Sequence, residues 1–238
     1  MQKQITTVDT DLWVVNDKFT LPKGFLPFAL PPLLGRCSVR MTVVRLSSGG
    51  LLLHSPVEFS DSLAERLQQI GPIEFIVGPS VMHNTYLVAW HERFPKSTCV
   101  VAPKTFKRNP QLTNYPTFSD ELPVAPSDLK QQLMSGHRSY ETLFLHPKTK
   151  TLIVTDLAYS IFPKADLIEK IWLKSAGVRN PLGVTSYNKK KITDAALFRS
   201  CLDKVLSWDF DRLIMSHGQI MEKGAKAAFA EIWSSIGR

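Results

Sequence analysis

The sequence predicts an α/β fold in which two β-sheets pack face to face between outer helices, a four-layer αββα sandwich. Two observations support this prediction. Extended apolar segments fall into two groups, one in each half of the chain, and amphipathic helical segments lie between them. The chain has 238 residues, of which 44% are hydrophobic, so it can bury two such sheets, and general disorder is excluded.

The first half reads as a hairpin followed by a β-α-β-α-β unit. VRMTVVRL, from Val39, alternates apolar and polar residues, a Ser-Gly-Gly turn follows, and LLLHSP is again extended. Ser60 precedes DSLAERLQQIG, whose apolar residues recur at helical spacing, and Gly71 stands where a C-cap glycine is common. The other predicted elements are strands at 73–79 and 98–103 and a helix at 86–94.

The second half begins after residues 103–128, a stretch rich in Pro, Thr, Asn and Asp that predicts a long loop or lid. The segment 142–156, TLFLHPKTKTLIVTD, predicts two strands around a turn. A helix at about 164–174, a helix at 193–207, a strand in DRLIMSHG and a final helix in KGAKAAFAEIWSSIG complete the second group.

The N-terminal region contains the most apolar run, GFLPFALPPLLG at residues 24–35. This run is shorter than a membrane span and contains three prolines. We therefore expect residues 1–38 to form an extension that wraps the core of a single domain, residues 39–238; an exposed patch for a partner is the open alternative. The chain begins without the apolar stretch of a secretory signal, and its three cysteines form no CxxC. These features predict a cytoplasmic protein that does not bind membranes.

Polar residues that could carry chemistry fall at predicted strand ends. His83, His137 and His217 lie in such places, and Asp156 ends the apolar strand TLIVTD. A carboxylate there is costly unless a metal, a cation or hydrogen bonds compensate. Imidazole and carboxylate groups at one sheet edge would supply ligands that zinc, iron or manganese accepts. Taken alone, a histidine near a strand end is more often a hydrogen-bonded structural residue than a ligand. His54 could line a pocket or pack behind one.

Four segments carry a resemblance to a known family: VVRLSSGGLLLHSPV, IVGPSVMHNTYLVAWHERFP, GHRSYETLFLHPKTKTLIVTDLAYSI and LIMSHG. Through them the chain, over roughly residues 39–235, resembles the metallo-β-lactamase superfamily, and within it a divergent, uncharacterised branch known as a domain of unknown function. The stretch 136–161 is the most specific part. The resemblance implies an αββα sandwich with one or two metals at one edge, and hydrolysis of thioesters, lactams, lactones or phosphodiesters, or oxidoreductase chemistry.

The resemblance also implies a ligand set. His137 matches the ligand of the Gly-His loop, Asp156 the bridging aspartate and His217 the final histidine. The superfamily pattern His-x-His-x-Asp-His falls on PSVMHN at 79–84, so both leading histidines are absent, and His83 and Asn84 occupy the last two places. This departure favours one divalent metal ion (Zn, Fe or Mn), or none. The expected ligands are His83, Asp156 and His217, with Asn84 through its amide oxygen and His137 at the other metal position.

Two functional hypotheses follow. The first is a metal-dependent hydrolase with a reduced, mononuclear site that activates water on a small ester, thioester or lactone, with His83 or His137 as the catalytic base. The net charge of +8 favours an anionic substrate. The second is a non-catalytic descendant of the fold that binds a ligand or a protein, which the eroded first motif supports. Nucleic-acid processing is a minor third interpretation. It rests on the net charge, on the run Lys189, Lys190 and Lys191, and on Lys104, Lys107 and Arg108 of the long loop. The substrate, the metal's identity and the oligomeric state cannot be read from the sequence.

Overall fold

The computed structural model describes residues 3–20, 36–118, 122–161, 167–179 and 181–236. Within these ranges the chain forms ten strands and six α-helices. The strands are β1 (Ile5–Asp9), β2 (Leu12–Thr20), β3 (Arg36–Arg45), β4 (Leu51–His54), β5 (Ile73–Gly78), β6 (Thr98–Val101), β7 (Lys130–Leu133), β8 (Thr142–His146), β9 (Thr151–Val154) and β10 (Arg212–Met215). The helices are α1 (Asp61–Gln68), α2 (Leu87–Arg93), α3 (Leu167–Ser175), α4 (Ser186–Lys189), α5 (Ala195–Leu206) and α6 (Ala225–Ile232).

The first sheet contains six strands in the order β1-β2-β3-β4-β5-β6. Its strands are antiparallel as far as β4, and β4, β5 and β6 run parallel. The predicted hairpin is β3–β4, and the predicted β-α-β-α-β unit is present from β4 to β6. Leu51 and Leu53 on one face of β4 pack in a cluster with Leu67 of α1 and Trp90 of α2, so these helices cover the outer face of this sheet.

The second sheet contains four strands in the order β10-β9-β8-β7, with β10 parallel to β9 and the other pairs antiparallel. Phe198 of α5 and Phe229 of α6 pack against the outer face of this sheet, in a cluster that includes Leu145 of β8. Between the sheets, Leu52 and Phe144 belong to a third buried cluster. The four-layer αββα prediction is therefore confirmed.

The N-terminal segment enters the sheet. Residues 5–20, expected as part of a wrap, form β1 and β2, and β2 pairs with β3 along its whole length. Leu12 and Val14 of β2 are buried between the sheets, which explains why this segment is a strand. The apolar run 24–35 lies outside the described residues, and the division at residue 38 stays a prediction.

Some elements differ from the prediction. The predicted loop 103–128 contains two short 3-10 turns, and the strand β7 follows it. The helix expected from about residue 164 is described from Leu167. None of the helices in the described ranges has the length and apolar character needed to cross a bilayer.

One edge of the sandwich collects strand ends from both sheets. The parallel strands β4 and β5 end there at His54 and Gly78, and β9 and β10 end there at Val154 and Met215. The guanidinium of Arg40 joins the sheets at this edge by donating to the Met215 carbonyl at 2.8 Å. The loops that follow these four strands form what we call the site edge.

Candidate metal centre

Three of the predicted residues meet at the site edge. The ligand atoms of His83, Asp156 and His217 all lie within 4.8 Å of one another. Nε2 of His83 is 3.3 Å from Oδ1 of Asp156, and Nε2 of His217 is 3.4 Å from the same oxygen. A tetrahedral zinc ion bound at its usual distances separates neighbouring ligand atoms by about 3.4 Å. The spacing therefore fits a bound divalent ion, and it also fits hydrogen bonds from protonated rings.

The backbone of β3 fixes the proton on His217. Nδ1 of His217 lies 2.7 Å from the carbonyl oxygen of Ser38, which can only accept, so Nδ1 carries a hydrogen. In a neutral ring, Nε2 then points its lone pair towards Oδ1 of Asp156, which is also an acceptor. Two acceptors face each other favourably only when a proton or a metal ion lies between them.

The His83 ring is held from the other side by Ser55. Oγ of Ser55 lies 2.8 Å from Nδ1 of His83. Ser55 follows β4 directly, is buried and has φ 57°, in the left-handed region that non-glycine residues seldom adopt. Its N–H donates to the Val77 carbonyl at 2.9 Å, which anchors this turn to β5.

The loop around Asp156 is fixed by a buried carboxylate. Glu141 accepts the N–H groups of Thr155 and Asp156 at 2.5 and 3.0 Å. Burial, followed by the nearby charge of Asp156, raises the pKa of Glu141 to about 7. The amide of Asn188 donates to the Asp156 carbonyl at 2.8 Å. These bonds provide partners for the backbone N–H and carbonyl groups that directly follow β9.

The Asp156 side chain has three partners at a single oxygen. The Tyr159 hydroxyl donates to Oδ1 at 2.6 Å, and the Tyr159 ring stacks on His217 with centroids 5.4 Å apart. Burial opposes ionisation of Asp156, but the charges and hydrogen bonds of His83 and His217 outweigh it and hold the pKa of Asp156 well below its usual range. Burial and the Asp156 carboxylate raise the pKa of Tyr159 well above its usual value, so Tyr159 is the proton donor.

The structure does not bring His137 into this group. Nε2 of His137 donates to the carbonyl of Asn188 at 2.9 Å, and Nδ1 accepts the N–H of Ser139 at 3.2 Å. Both ring nitrogens are therefore engaged, and burial lowers the pKa of His137 to about 4. Asn84 is buried, and its amide nitrogen donates to Ser80 within its own loop at 3.3 Å. The ligand and catalytic roles expected for these residues stay predictions.

His54 lies between the sheets behind the centre. Its side chain is 1% exposed and contacts Phe144 edge-on, with centroids 5.5 Å apart. Neither ring nitrogen has a hydrogen-bond partner among the described residues. Burial, followed by the charge of His83, lowers the pKa of His54 to about 3, so the ring is neutral. His54 thus packs behind the centre, the second of the two roles that the sequence left open.

Sequence reasoning missed Ser55, Glu141 and Tyr159 as parts of this arrangement. A weak signal existed for Glu141, because it directly precedes the apolar strand TLFLH and would be buried with it. Tyr159 follows Asp156 by three residues, a spacing that a tight turn brings together. Ser55 carried no such signal, since its role depends on a turn conformation that the sequence does not specify.

Comparison with solved structures identifies the fold. The chain is similar to a metallo-β-lactamase from Pontibacter korlensis, with 13% sequence identity and a TM-score of 0.62 over 98% of this chain and 100% of that chain. The chain has the metallo-β-lactamase fold. It is also similar to the FIM-1 metallo-β-lactamase of Pseudomonas aeruginosa in its mono-zinc form, at 12% identity and a TM-score of 0.58 over 98% of this chain and 96% of that chain.

Other comparisons agree with a divergent version of the metallo-β-lactamase fold. The metal-soaked Flv1 flavodiiron core from Synechocystis sp. PCC6803 is 14% identical, with a TM-score of 0.62 over 98% of this chain and 61% of that chain. The family model of a domain of unknown function, DUF4336, matches residues 35–112. No curated protein matches the sequence significantly. The expected resemblance to an uncharacterised branch is confirmed at the level of the fold.

Proposed function

We propose that the chain is a metal-dependent hydrolase in which His83, Asp156 and His217 hold one divalent ion. The observation that carries this proposal is the meeting of two imidazole nitrogens at one oxygen of an ionised carboxylate, at spacings of 3.3 and 3.4 Å. The lone pairs of these nitrogens and of the carboxylate oxygen would repel one another without a proton, and a metal ion between them would be bound by all three atoms.

The donor set suits the proposed ion. Two neutral imidazoles and one carboxylate are the ligands that zinc, iron and manganese accept, and three protein ligands leave a position open. When bound, the ion supplies a water of lowered pKa and a Lewis acid for a carbonyl oxygen.

The surrounding residues have defined tasks in this proposal. The Ser38 carbonyl holds a proton on Nδ1 of His217, so in a neutral ring Nε2 presents its lone pair to the ion. Ser55 can hold the His83 ring in the corresponding orientation by accepting from Nδ1. Tyr159 keeps the carboxylate of Asp156 in place through its hydroxyl.

The proton acceptor is constrained by the same contacts. His137 could take up a proton only by giving up the bond that it accepts from Ser139. His83 could act as a base through Nε2 only when that nitrogen does not bind the ion, so ligand and base are alternative roles for His83. We assign His83 the ligand role because its Nδ1 is already oriented by Ser55.

The proposed substrate is a small ester, thioester or lactone. Hydrolysis adds the oxygen of water to the acyl carbon, breaks the bond to the leaving oxygen or sulfur, and transfers a proton to that leaving atom. The alternative is a non-catalytic descendant of the fold that binds a ligand or a protein. Pro79 and Val81 favour this alternative, because they stand where the resemblance implies the leading histidine ligands.

Metal analysis of purified protein separates the two functions. Protein grown with added zinc, iron and manganese and purified without chelator is expected to contain nearly one equivalent of metal. Asp156→Ala and His217→Ala should lose most of this metal, whereas His91→Ala on α2 should keep it. Hydrolysis of a panel of thioesters, lactones and phosphodiesters should disappear with a chelator and return with metal. Metal-free wild-type protein would leave only the non-catalytic alternative.

A further inference from the structure

Three segments near the candidate metal centre are linked to it or to one another by contacts, and we call them together the rim: residues 103–109, 136–140 and 185–192, the last of which includes α4. The third segment touches the centre directly, because the side chain of Asn188 donates to the backbone carbonyl of Asp156 at 2.8 Å. This contact places the third segment against the loop that carries Asp156.

The first two rim segments are connected, directly or through each other, to the loop that carries His83. Val81, two residues before His83, donates its N–H to the carbonyl of Ser139 at 3.0 Å. The ammonium group of Lys104 lies 4.7 Å from the centroid of the Tyr140 ring. The first segment thus contacts the second, and the second contacts the loop that carries His83.

The charge of the rim is entirely positive. The backbone N–H of Arg138 donates to the Lys191 carbonyl at 2.9 Å, so the second and third segments also adjoin. The three segments contain no Asp or Glu. The acidic residues next in sequence after the second and third segments are engaged by other groups. Glu141 accepts backbone N–H groups after β9, and Asp194 caps α5. The rim contains seven cationic side chains, namely Lys104, Lys107, Arg108, Arg138, Lys189, Lys190 and Lys191.

These cations are not neutralised within the described part of the chain. None of the seven forms an ion pair with a described Asp or Glu, whereas Lys148 and Arg212, at the opposite edge, are paired with carboxylates. Six of the seven have exposed side chains, and Lys191 is half-buried. A group of like charges without ion-pair partners on one surface concentrates anions there.

Two exposed aromatic rings stand among the rim cations. Phe106 is 44% exposed and Tyr187 is 56% exposed, and Lys191 lies 4.3 Å from the centroid of the Tyr187 ring. Exposed rings beside cations offer stacking surfaces to a planar aromatic base whose phosphates the cations bind.

The side chains of the centre are largely covered. Those of His83 and Asp156 are 7% and 8% exposed, and that of His217 is 19% exposed. A phosphodiester inside a polymer would have to bring the nucleotides on both of its sides to this covered centre. An acyl group at the end of a flexible arm can enter while its charged part stays outside.

We propose that the rim binds a nucleotide-like handle of the substrate, phosphates joined to an aromatic base, while an ester or thioester at the other end of the substrate reaches the centre. The hydrolytic half of this inference rests on the proposed function and names its substrate class. The oxygen of water would add to the acyl carbon of the thioester and the carbon–sulfur bond would break, giving a carboxylic acid and the free thiol carrier, with one proton of the water passing to the thiol sulfur.

Binding is tested with the handle alone. Isothermal titration calorimetry with coenzyme A, ADP and inorganic pyrophosphate is run on metal-loaded and on chelator-treated protein. Coenzyme A and ADP should bind in both states, more weakly as salt rises, and pyrophosphate should bind less tightly because it lacks a base. The double variant K189E/K190E should weaken ADP binding by about tenfold or more. The matched variant K96E/K223E makes the same charge change at the opposite edge and should leave ADP binding unchanged.

Catalysis is tested with a matched substrate pair. S-acetyl coenzyme A and S-acetyl pantetheine carry the same thioester and differ in the nucleotide part. The ratio of their kcat/KM values should favour the coenzyme A thioester, and K189E/K190E should reduce this ratio by about tenfold. K96E/K223E should keep the wild-type ratio.

The outcomes separate this inference from the proposed function. Absence of ADP and coenzyme A binding, or equal loss in both double variants, overturns the rim as a handle site. Tighter binding of a single-stranded RNA of about 20 nucleotides than of ADP, with a steep salt dependence, overturns the small-molecule handle in favour of nucleic acid. Metal-free protein that still binds ADP in a Lys189- and Lys190-dependent manner supports the rim and refutes only the metal chemistry.

Discussion

Oγ of Ser55 lies 2.8 Å from Nδ1 of His83, and the backbone of Ser55 is in the left-handed region, with φ 57°. The turn after β4 thus contains a strained residue, Ser55, whose hydroxyl orients the imidazole ring of His83. Such strain is common where a side chain must be held for chemistry.

The contribution of the Ser55 hydroxyl can be separated from that of the strain. Ser55→Ala and Ser55→Gly both remove the hydroxyl, and both should weaken metal binding by about 10- to 100-fold, because His83 loses its orienting partner. Glycine tolerates positive φ, so Ser55→Gly should be more stable than Ser55→Ala by about 1 kcal/mol. Competition titration with a chromophoric chelator measures the first effect, and urea unfolding of metal-free protein measures the second. Wild-type metal affinity in Ser55→Gly would refute the role of the hydroxyl.

Two buried histidines should respond oppositely to the same substitution. His54→Leu removes two nitrogens that lack partners, so the free energy of unfolding at pH 7 should rise by about 1–3 kcal/mol. His137→Leu leaves the Asn188 carbonyl and the Ser139 N–H without their partner, so the free energy of unfolding should fall by a similar amount. Urea unfolding of both variants checks this. A destabilised His54→Leu protein would mean that the ring has a partner, such as ordered water, in solution.

The stability gained in His54→Leu should depend on pH. The folded pKa of His54 is about 3, against 6.5 in the unfolded chain, so below pH 6.5 only the unfolded chain takes up this proton. The free energy of unfolding of the wild-type protein is therefore unaffected by this ring's protonation above pH 6.5, and it falls as the pH drops from 6.5 towards 3. The difference between His54→Leu and wild type should grow by about 1.4 kcal/mol per pH unit below 6.5. A difference that is constant between pH 7 and pH 4.5 would contradict the buried, neutral ring.

The Glu141 carboxylate should be needed for the turn that carries Asp156. Glu141→Gln keeps one acceptor for the two N–H groups, and Glu141→Ala keeps none, so the free energy of unfolding should fall in that order, by about 1–3 kcal/mol for each lost acceptor. Glu222→Gln, at an exposed ion pair with Arg212, should change stability by less than about 1 kcal/mol. Thermal and urea unfolding measure all three variants. Equal stability of Glu141→Ala and wild type would refute this role.

The elements that were predicted correctly are those whose formation depends on residues within the element or next to it. Ser60 caps α1 by accepting the Leu63 N–H at 3.4 Å. The alternation in β3 and β4 reflects two sheet faces that pack in different buried clusters. The strand β2 was missed, since LWVVNDKFT gains its stability from pairing with β3 across the undescribed residues 21–35. Pairing at that sequence distance leaves little trace in the local pattern.

The candidate site was predictable to the extent that strand ends gather at one edge. His83, Asp156 and His217 were found in this way, because a carboxylate and imidazoles at apolar strand ends require compensation. The engagement of His137 was not predictable, since its Nε2 binds a backbone carbonyl, that of Asn188, and every residue has a carbonyl. The anchor of His217 is likewise a backbone carbonyl, 179 residues away along the chain.

The candidate metal centre is assembled from both sheets: Ser38, Ser55 and His83 come from the first, and Asp156 and His217 follow strands of the second. Neither half of the chain contains the ligand set by itself. An ion held here would link the two sheets and stabilise the folded chain by an amount that grows with the logarithm of its concentration divided by its dissociation constant. Removing the ion would take this stabilisation from both halves of the chain at once.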